Sequence, residues 1–72
     1  MKQMYCKLAV LMAERDPSLS QRKVAEDTKL STATVNKLYL NRFDRVDRHT
    51  VEVLCEYFGC EVGDLLVLKG EG

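Results

Sequence analysis

Short polar side chains and one cation share a face in the segment 32–37. Thr32, Ala33, Asn36 and Lys37 have the spacing that places them side by side on one helix. Their hydroxyl, amide and ammonium groups form hydrogen bonds, and no large apolar side chain would hold a surface away from them. Such a face suits the base-pair edges in the major groove of DNA. The pattern therefore indicates recognition through hydrogen bonds.

Residues that would support catalysis or metal binding are sparse. His49 is the sole histidine, and the three cysteines, Cys6, Cys55 and Cys60, form no CxxC pair. Zinc would need about four well-placed ligands, and neither a nucleophile elbow nor a Gly-rich phosphate loop is present. We therefore expect no enzyme activity, no metal, no cofactor and no small-molecule ligand. The cysteines are interpreted as reduced thiols that pack as small hydrophobic groups.

The polar face requires a helix that is held by a second helix. Ser20 and Ser31 are each placed to cap a helix by accepting a hydrogen bond from the first turn. Each serine has an apolar residue directly before it and another four positions after it, the arrangement of a hydrophobic staple. These signals predict helices over residues 21–28 and 32–39, joined by about three residues, which is a helix-turn-helix.

The apolar positions of the two helices predict one shared core. Val24 and Ala25 on the first helix, Leu30 in the turn, and Val35 with Leu38 on the second should face inward. Ala25 is small enough to allow two helices to cross steeply. The polar face of the second helix is then left on the outside.

Three further helices are predicted from apolar periodicity. Met4, Leu8, Leu11 and Met12 form a stripe that predicts a first helix over 2–14. The other two helices are predicted over 48–58 and 62–67, and 69–72 should be a frayed tail. Residues 1–72 are therefore expected to form a single all-α domain of five helices, without a membrane span.

Two stretches carry a resemblance to a known family. The segment SQRKVAEDTKLSTATVNKLYLN resembles the helix-turn-helix of the Cro/C1-type (XRE-like) repressors of bacteria and phages. The segment VDRHTVEVLCEYFGCEVGDLL is similar to the last two helices of small regulators in that family. The resemblance covers roughly residues 8 to 67 and implies a compact lambda-repressor-like DNA-binding domain with a central helix-turn-helix.

The resemblance also implies which residues contact DNA. Ser31, Thr32, Ala33 and Lys37 match positions where the family contacts bases, and Thr34 and Asn36 lie close by.

Positions around the two helices match the family with one exception. In this family the second helix of the pair, here 32–39, is the recognition helix. Gln21 stands where the family places a glutamine that touches the DNA backbone and braces that helix. Asn41 stands where a left-handed residue ends that helix. Lys29 departs from the family, which has glycine at this turn because the backbone there has positive φ. A lysine can adopt this conformation at a cost of about 1 kcal/mol.

Two arginines follow the recognition helix. Arg42 and Arg45 flank Phe43 in the connection over 40–47. Extended arginines beside a recognition helix act as phosphate clamps, which fix the register on DNA without reading its sequence. Solubilising charges partly paired with Asp44 and Asp47 are the other interpretation, and Phe43 is expected to plug the core.

The charge distribution allows a nucleic-acid partner although the net charge is zero. Residues 21–48 carry seven cations against four anions, whereas residues 49–72 carry one cation against five anions. Binders of nucleic acid are usually basic, and here the positive excess coincides with the proposed face.

The leading hypothesis is a sequence-specific transcriptional regulator, most simply a repressor, acting in the cytoplasm on the nucleoid. Its partner would be double-stranded DNA, bound at a palindromic operator by a homodimer with the third helix in the major groove. The candidate dimer surface comprises Val53, Tyr57, Leu65, Leu66, Val67 and Leu68.

The alternative hypothesis is a protein-interaction module on the same fold, such as an antitoxin-like partner. The neutral charge and the apolar residues 65–68 favour this alternative, whereas the polar third helix and the arginine-bearing loop disfavour it. A steep salt dependence of DNA binding would separate the two hypotheses.

Overall fold

The computed structural model describes residues 2–70. Within this part of the chain, five helices are accompanied by a small antiparallel sheet of two strands. In chain order the elements are β1 (Lys2–Cys6), α1 (Leu8–Arg15), α2 (Gln21–Thr28), α3 (Thr32–Leu40), α4 (Arg48–Phe58), α5 (Val62–Leu65) and β2 (Leu66–Gly70). The fold is therefore mostly helical, and the all-α expectation is wrong in this respect.

The two strands join the beginning and the end of the chain. Together β1 and β2 form a two-stranded antiparallel ribbon. Cys6 pairs with Leu66 at the base of the ribbon, Met4 with Leu68 in its middle, and Lys2 with Gly70 at its tip. The backbone N–H of Lys7 extends this pairing by donating to the carbonyl oxygen of Leu65 at 2.7 Å. The ribbon is thus anchored where β1 leads into α1.

The prediction of a first helix over residues 2–14 is wrong for its first turns. Residues 2–6 form β1, and α1 begins only at Leu8. The helix was predicted from the spacing of Met4 and the apolar residues after it. That spacing carries no information about the apolar segment 66–68, with which β1 pairs. Strand formation depends on such distant pairing more than on local preference, so the periodicity of residues 2–14 alone could not reveal it.

The fifth helix is shorter than the predicted 62–67. It ends at Leu65, because Leu66 adopts extended backbone angles of φ −120° and ψ 125° and begins β2. Lys69 and Gly70, predicted to be frayed, belong to that strand. The last two residues of the predicted tail, 71 and 72, lie outside the described residues.

The core lies where α1 to α5 converge with the base of the ribbon. Leu8, Leu54, Val24 and Val35 are fully buried, and burying each such aliphatic side chain stabilises the fold by about 1.5–3 kcal/mol. Among residues 2–70, the buried apolar side chains are Cys6, Leu8, Met12, Val24, Ala25, Val35, Leu38, Leu54 and Leu65. Burial raises the pKa of the Cys6 thiol above its ordinary value. This keeps the thiol neutral and suits its packing in an apolar core.

Asn41 joins β1 to the end of α3. Its backbone is left-handed (φ 58°), as predicted, and caps the helix. Its side-chain amide makes two hydrogen bonds to one residue of β1: Oδ1 accepts from the Cys6 N–H at 2.6 Å, and Nδ2 donates to the Cys6 carbonyl oxygen at 3.1 Å. An amide that bonds both backbone groups of one residue replaces the next strand of a sheet at that point. The sequence predicted the cap but not this clamp.

Tyr57, a member of the predicted dimer surface, joins α4 to α2. Its hydroxyl donates to Asp27 Oδ2 at 2.7 Å, and the ring lies 5.1 Å from the guanidinium carbon of Arg15. The hydrogen bond from Tyr57, with a further one from Lys23, holds the pKa of Asp27 below its ordinary value. Asp27 therefore stays ionised and keeps the two helices connected.

Other members of that predicted surface differ in exposure. Leu65 is buried in the monomer core, so it is not available to a partner, whereas Leu68 is 66% exposed. Val53, Leu66 and Val67 are half-buried. Within the described residues, no helix has the length and apolar character needed to cross a membrane.

Replacing Asn41 should separate its two roles. Asn41→Gly keeps the left-handed backbone but removes both bonds to Cys6, and we expect a loss of about 1–3 kcal/mol in the free energy of unfolding. Asn41→Ala should cost about 1 kcal/mol more, because alanine also disfavours positive φ. Urea denaturation of both variants measures the difference. Wild-type stability in Asn41→Gly would show that the clamp contributes nothing.

Candidate nucleic-acid interface

The candidate interface is built on α2, the turn 29–31 and α3. Ser20 and Ser31 cap the two helices as predicted: the Ser20 hydroxyl oxygen accepts from the Lys23 N–H, and that of Ser31 accepts from the Thr34 N–H, each at 3.0 Å. Between them, Lys29 has φ 60° and ψ 25°, the left-handed conformation expected at this position. Glycine adopts this conformation without strain, whereas lysine does so only at an energetic cost.

The outward side of the first turns of α3, residues 32–37, is polar and open. Val35 and Leu38 are buried and fix the rotation of the helix about its axis. The same rotation exposes Thr32, Ala33, Asn36 and Lys37. No large apolar side chain lies among these four positions, so a flat or grooved partner can approach the helix closely.

Gln21 and Asn36 form a bridge between the two helices. Asn36 Nδ2 donates to Gln21 Oε1 at 3.0 Å, although the residues are fifteen positions apart. Gln21 is half-buried and Asn36 is exposed. This bond occupies the Gln21 oxygen and leaves its NH₂ group as a donor, and the Asn36 carbonyl oxygen remains an acceptor. The pair can therefore brace α3 and still bind a ligand.

Ser31 and Thr34 are linked through their side chains. The Ser31 hydroxyl donates to Thr34 Oγ1 at 2.8 Å while its oxygen caps the helix. The Ser31 proton is consequently used within the protein, whereas the Thr34 hydroxyl keeps its own proton for donation. Of these two predicted site residues, Thr34 is the better donor to a bound ligand.

A groove between α3 and the connection to α4 brings three predicted site residues together. Thr34, Lys37 and Arg45 line it, with Phe43 at its apolar side. Phe43 also packs against the core, as its predicted role as a plug requires. The remaining lining residues are Leu38, Val46, Asp47 and Thr50.

Asp47 places an anion in this groove beside the two cations. The Thr50 hydroxyl donates to Asp47 Oδ1, and this bond lowers the pKa of the carboxyl group. Asp47 stands directly before α4, but its side chain makes no cap hydrogen bond to the first turn of that helix. An ionised Asp47 repels phosphate, so the anion-binding part of the groove lies toward Lys37 and Arg45.

Ion pairs divide the cations of residues 21–48 into two groups. Arg22 pairs with Glu26 at 3.8 Å, Lys23 with Asp27 at 3.1 Å and Arg48 with Glu52 at 3.0 Å. Among the described residues, no ion pair involves the other four cations, which are Lys29, Lys37, Arg42 and Arg45. The positive charge that remains for a polyanion therefore lies on the turn, on α3 and on the connection after α3.

Arg42 lies beside α3 through its backbone. Its N–H donates to the Lys37 carbonyl oxygen at 2.8 Å, which completes the cap of α3. Its side chain is exposed, but it is not among the residues that line the groove with Arg45. The two arginines predicted as a pair of clamps therefore occupy different surroundings.

The chain was also compared with known proteins. A family model described as a Cro/C1-type HTH DNA-binding domain matches residues 7–71. A comparison with curated proteins finds no match. The family match spans the helix-turn-helix and nearly all of the rest of the chain.

The strain at Lys29 can be measured directly. Lys29→Gly should raise the free energy of unfolding by about 0.5–1 kcal/mol, because glycine adopts positive φ without a steric cost. Lys29→Ala removes the same charge and keeps the strain, so it serves as the matched control. Chemical denaturation of both variants at one pH measures the effect. Equal stability of the two variants would indicate an unstrained lysine.

Proposed function

Because the chain belongs to the Cro/C1-type HTH DNA-binding domain family, we propose that it is a sequence-specific transcriptional regulator. In this proposal it represses transcription by occupying a palindromic operator as a homodimer, in the cytoplasm on the nucleoid. Occupying a site that polymerase needs is sufficient for repression, and no cofactor is required.

The observation that supports this proposal best is the open polar face of α3 beside a groove with two cations that lack an ion pair. Lys37 belongs both to the exposed side of α3 and to the groove, and Arg45 enters the groove from the connection. Base edges and phosphates occur side by side in the major groove of DNA. A surface that offers helix side chains next to cations suits both.

The proposed base contacts come from α3. Lys37 would donate to guanine O6 and N7, and Asn36 would reach an adenine or a phosphate. The methyl groups of Ala33 and Thr32 would pack on a thymine methyl. Ser31 stands closest to the start of the helix, where its hydroxyl oxygen can accept from a base. These side chains are short, so DNA shape would contribute to specificity.

The proposed phosphate contacts surround this face. The free NH₂ group of Gln21 and the Thr34 hydroxyl are positioned donors, because each is held by a neighbour through its oxygen. Arg42 and Arg45 would add charge on the other side of α3. Such contacts fix the orientation of the protein and carry no sequence information.

A homodimer follows from the way a short helix reads DNA. One α3 spans only a few base pairs, and a two-fold dimer would place the second α3 about 34 Å away, one helical turn along the duplex. A dimer that contacts two half-sites combines the base contacts of both, so its preference for the operator exceeds that of a single domain. An interaction module remains the second candidate, since Met4 and Leu68 expose apolar side chains that another protein could cover.

The first test is a titration of random-sequence duplex DNA, followed by fluorescence anisotropy at about 50 and 200 mM salt. We expect micromolar binding that weakens about tenfold or more across this range, because several phosphate contacts release counterions. The operator can then be selected from a random pool. Absence of binding at low salt, with circular dichroism showing a folded protein, would favour the interaction module.

Two substitutions should separate base contacts from phosphate contacts. Lys37→Ala should reduce the preference for operator over random DNA by about 1–3 kcal/mol. Arg45→Ala should weaken binding to operator and to random DNA equally. It should also reduce the slope of log K against log salt concentration by about 1.

Lys69→Ala is the charge-matched control, since it removes one cation outside the proposed site. It should leave the operator preference unchanged. An unchanged preference in Lys37→Ala as well would rule out the proposed role of Lys37.

A further inference from the structure

The three cysteines occupy two kinds of environment. Cys6 is 1% exposed and belongs to the core, where its thiol packs as a small hydrophobic group. Cys55 and Cys60 are only half-buried, and both carry free thiols. Small reagents in the solvent can therefore reach these two thiols in the folded protein, whereas Cys6 is shielded from them.

The end of α4 holds Cys55 and Cys60 next to each other. Gly59, directly after the helix, has a left-handed backbone (φ 62°). The Cys60 N–H donates to the Cys55 carbonyl oxygen at 2.9 Å, and the Gly59 N–H donates to the Glu56 carbonyl oxygen at 3.3 Å. This pair of bonds defines a Schellman motif, in which the side chains of the residues joined by the longer-range bond commonly contact each other.

The backbone bond between the two cysteines suits the geometry of a disulfide. Bridged cysteines usually have Cα atoms about 4.4–6.8 Å apart. Residues that are joined directly by backbone hydrogen bonds have a similar separation, about 5.5 Å in an antiparallel sheet. Cys55 and Cys60 can therefore be bridged without a large movement of the backbone.

The electrostatic environment of Cys55 gives further evidence that the two thiols are neighbours. Burial raises the pKa of the Cys55 thiol, and the nearby Cys60 thiol raises it further. Glu61 and Asp64 shift the pKa in the same direction. Cys55 is thus kept neutral and packs against the core, whereas Cys60 lies in the loop between α4 and α5.

We propose that Cys55 and Cys60 form an oxidisable dithiol, which a low-molecular-weight disulfide converts into an intrachain disulfide that cross-links the end of α4 to the following loop. In a reducing compartment such bonds are usually transient and redox-sensing, so the reduced pair is the resting form. Neither cysteine belongs to the candidate nucleic-acid interface, and the proposal does not depend on DNA binding.

The reaction consists of two thiol–disulfide exchanges. The Cys60 thiolate attacks one sulfur of the small disulfide and forms a mixed disulfide, and the released small thiolate takes up the proton that Cys60 lost. The Cys55 thiolate then attacks Cys60 Sγ, which forms the intrachain bond and releases the second small thiol with the proton from Cys55. Two protein thiols are oxidised and one small disulfide is reduced to two thiols, so electrons and protons balance.

The surroundings assign the first attack to Cys60. The thiolate is the attacking species, and the raised pKa of Cys55 lowers its fraction of thiolate at neutral pH. The contact of Cys55 with the core also hinders an incoming reagent. Once the mixed disulfide has formed on Cys60, Cys55 is already beside it, so the second exchange is intramolecular and proceeds with a small fraction of thiolate.

The environment of Cys55 also favours the oxidised form at equilibrium. A disulfide is strongly oxidising when its reduced form is stabilised, and a low thiol pKa does this. Burial and the carboxylates of Glu61 and Asp64 have the opposite effect, because they disfavour the Cys55 thiolate. The intrachain disulfide is therefore harder to reduce than one between two fully exposed cysteines.

The disulfide would oppose opening of the junction between α4 and α5. The helix α5 begins at Val62, and the carbonyl oxygen of its last residue, Leu65, accepts from the Lys7 N–H at the base of the ribbon. Local opening of the junction therefore releases the ribbon as well. A cross-link between Cys55 and Cys60 restricts the opened chain, so the oxidised protein resists unfolding and the proteases that act on opened states.

The test treats the reduced protein with glutathione disulfide at about 1 mM and neutral pH, blocks the remaining thiols at intervals, and follows the products by mass spectrometry. We expect the wild type to become lighter by two hydrogen atoms, with Cys6 still a thiol. Glu56 lies between the two cysteines, so cleavage after glutamate separates Cys55 from Cys60 unless a disulfide joins the two peptides. The joined peptides locate the bond.

Two serine variants test the order of the exchanges. Cys55→Ser keeps the attacking thiol and should stop at a mixed disulfide with one glutathione. Cys60→Ser keeps only the hindered thiol and should react about threefold or more slowly than Cys55→Ser. Equal rates in the two variants would overturn the assignment of Cys60 as the attacking thiol.

Thermal unfolding and limited proteolysis measure the effect of the bond. The oxidised wild type should have a Tm about 5 °C or more above that of the reduced protein, and it should be cleaved about threefold or more slowly. Cys55→Ser treated in the same way is the matched control and should show neither change.

Two outcomes would overturn the proposal. One is a wild type that stays reduced or stops at the mixed disulfide, and the other is an intrachain disulfide that leaves Tm and proteolysis unchanged. These measurements use no DNA, so their outcome is independent of the proposed function.

Discussion

The hydrogen bonds between the Asn41 amide and the backbone of Cys6 connect the two parts of this structure. One part is the helical core with its helix-turn-helix, and the other is the ribbon formed by the chain's two ends. Asn41 ends α3 with a left-handed backbone while its side chain holds β1. The direction of the connection after α3, and with it the placement of Phe43 and Arg45, depends on this one residue. A different residue at position 41 could cap α3 or hold β1, but few could do both.

Local signals predicted the helix-turn-helix well because its stability is encoded within a few residues. The serine caps and the inward Val24, Ala25, Val35 and Leu38 are all found where the pattern placed them. The left-handed backbones at Lys29 and Asn41 are also present, at positions that the resemblance to the family indicated. The ribbon could not be predicted in this way. Met4 continues a helical stripe with Leu8, and only its pairing with Leu68, almost a whole chain length away, shows that the stripe breaks at Lys7.

Three of the predicted site residues lie together in the structure, but their surroundings could not be predicted from the sequence. Thr34 and Lys37 were selected through the resemblance to the family and Arg45 through its charge, and the three line one groove. Their selectivity for an anion depends on which neighbouring carboxylates are already engaged, which is a property of side-chain geometry. Glu26, Asp27 and Glu52 are occupied by Arg22, Lys23 and Arg48, and Asp47 is held by Thr50. The neutral net charge thus coexists with a locally cationic surface.

The pairing of β1 with β2 also shapes how the chain can reach this structure. The helix-turn-helix and the α4–α5 unit involve contacts between residues close in sequence, which form early because little chain entropy is lost in closing them. The ribbon joins Cys6 to Leu66 and can close only after the intervening helices have brought the two ends together. Its register is therefore selected late, on a helical body that already exists. Until then, two short apolar segments are exposed to any other chain emerging nearby.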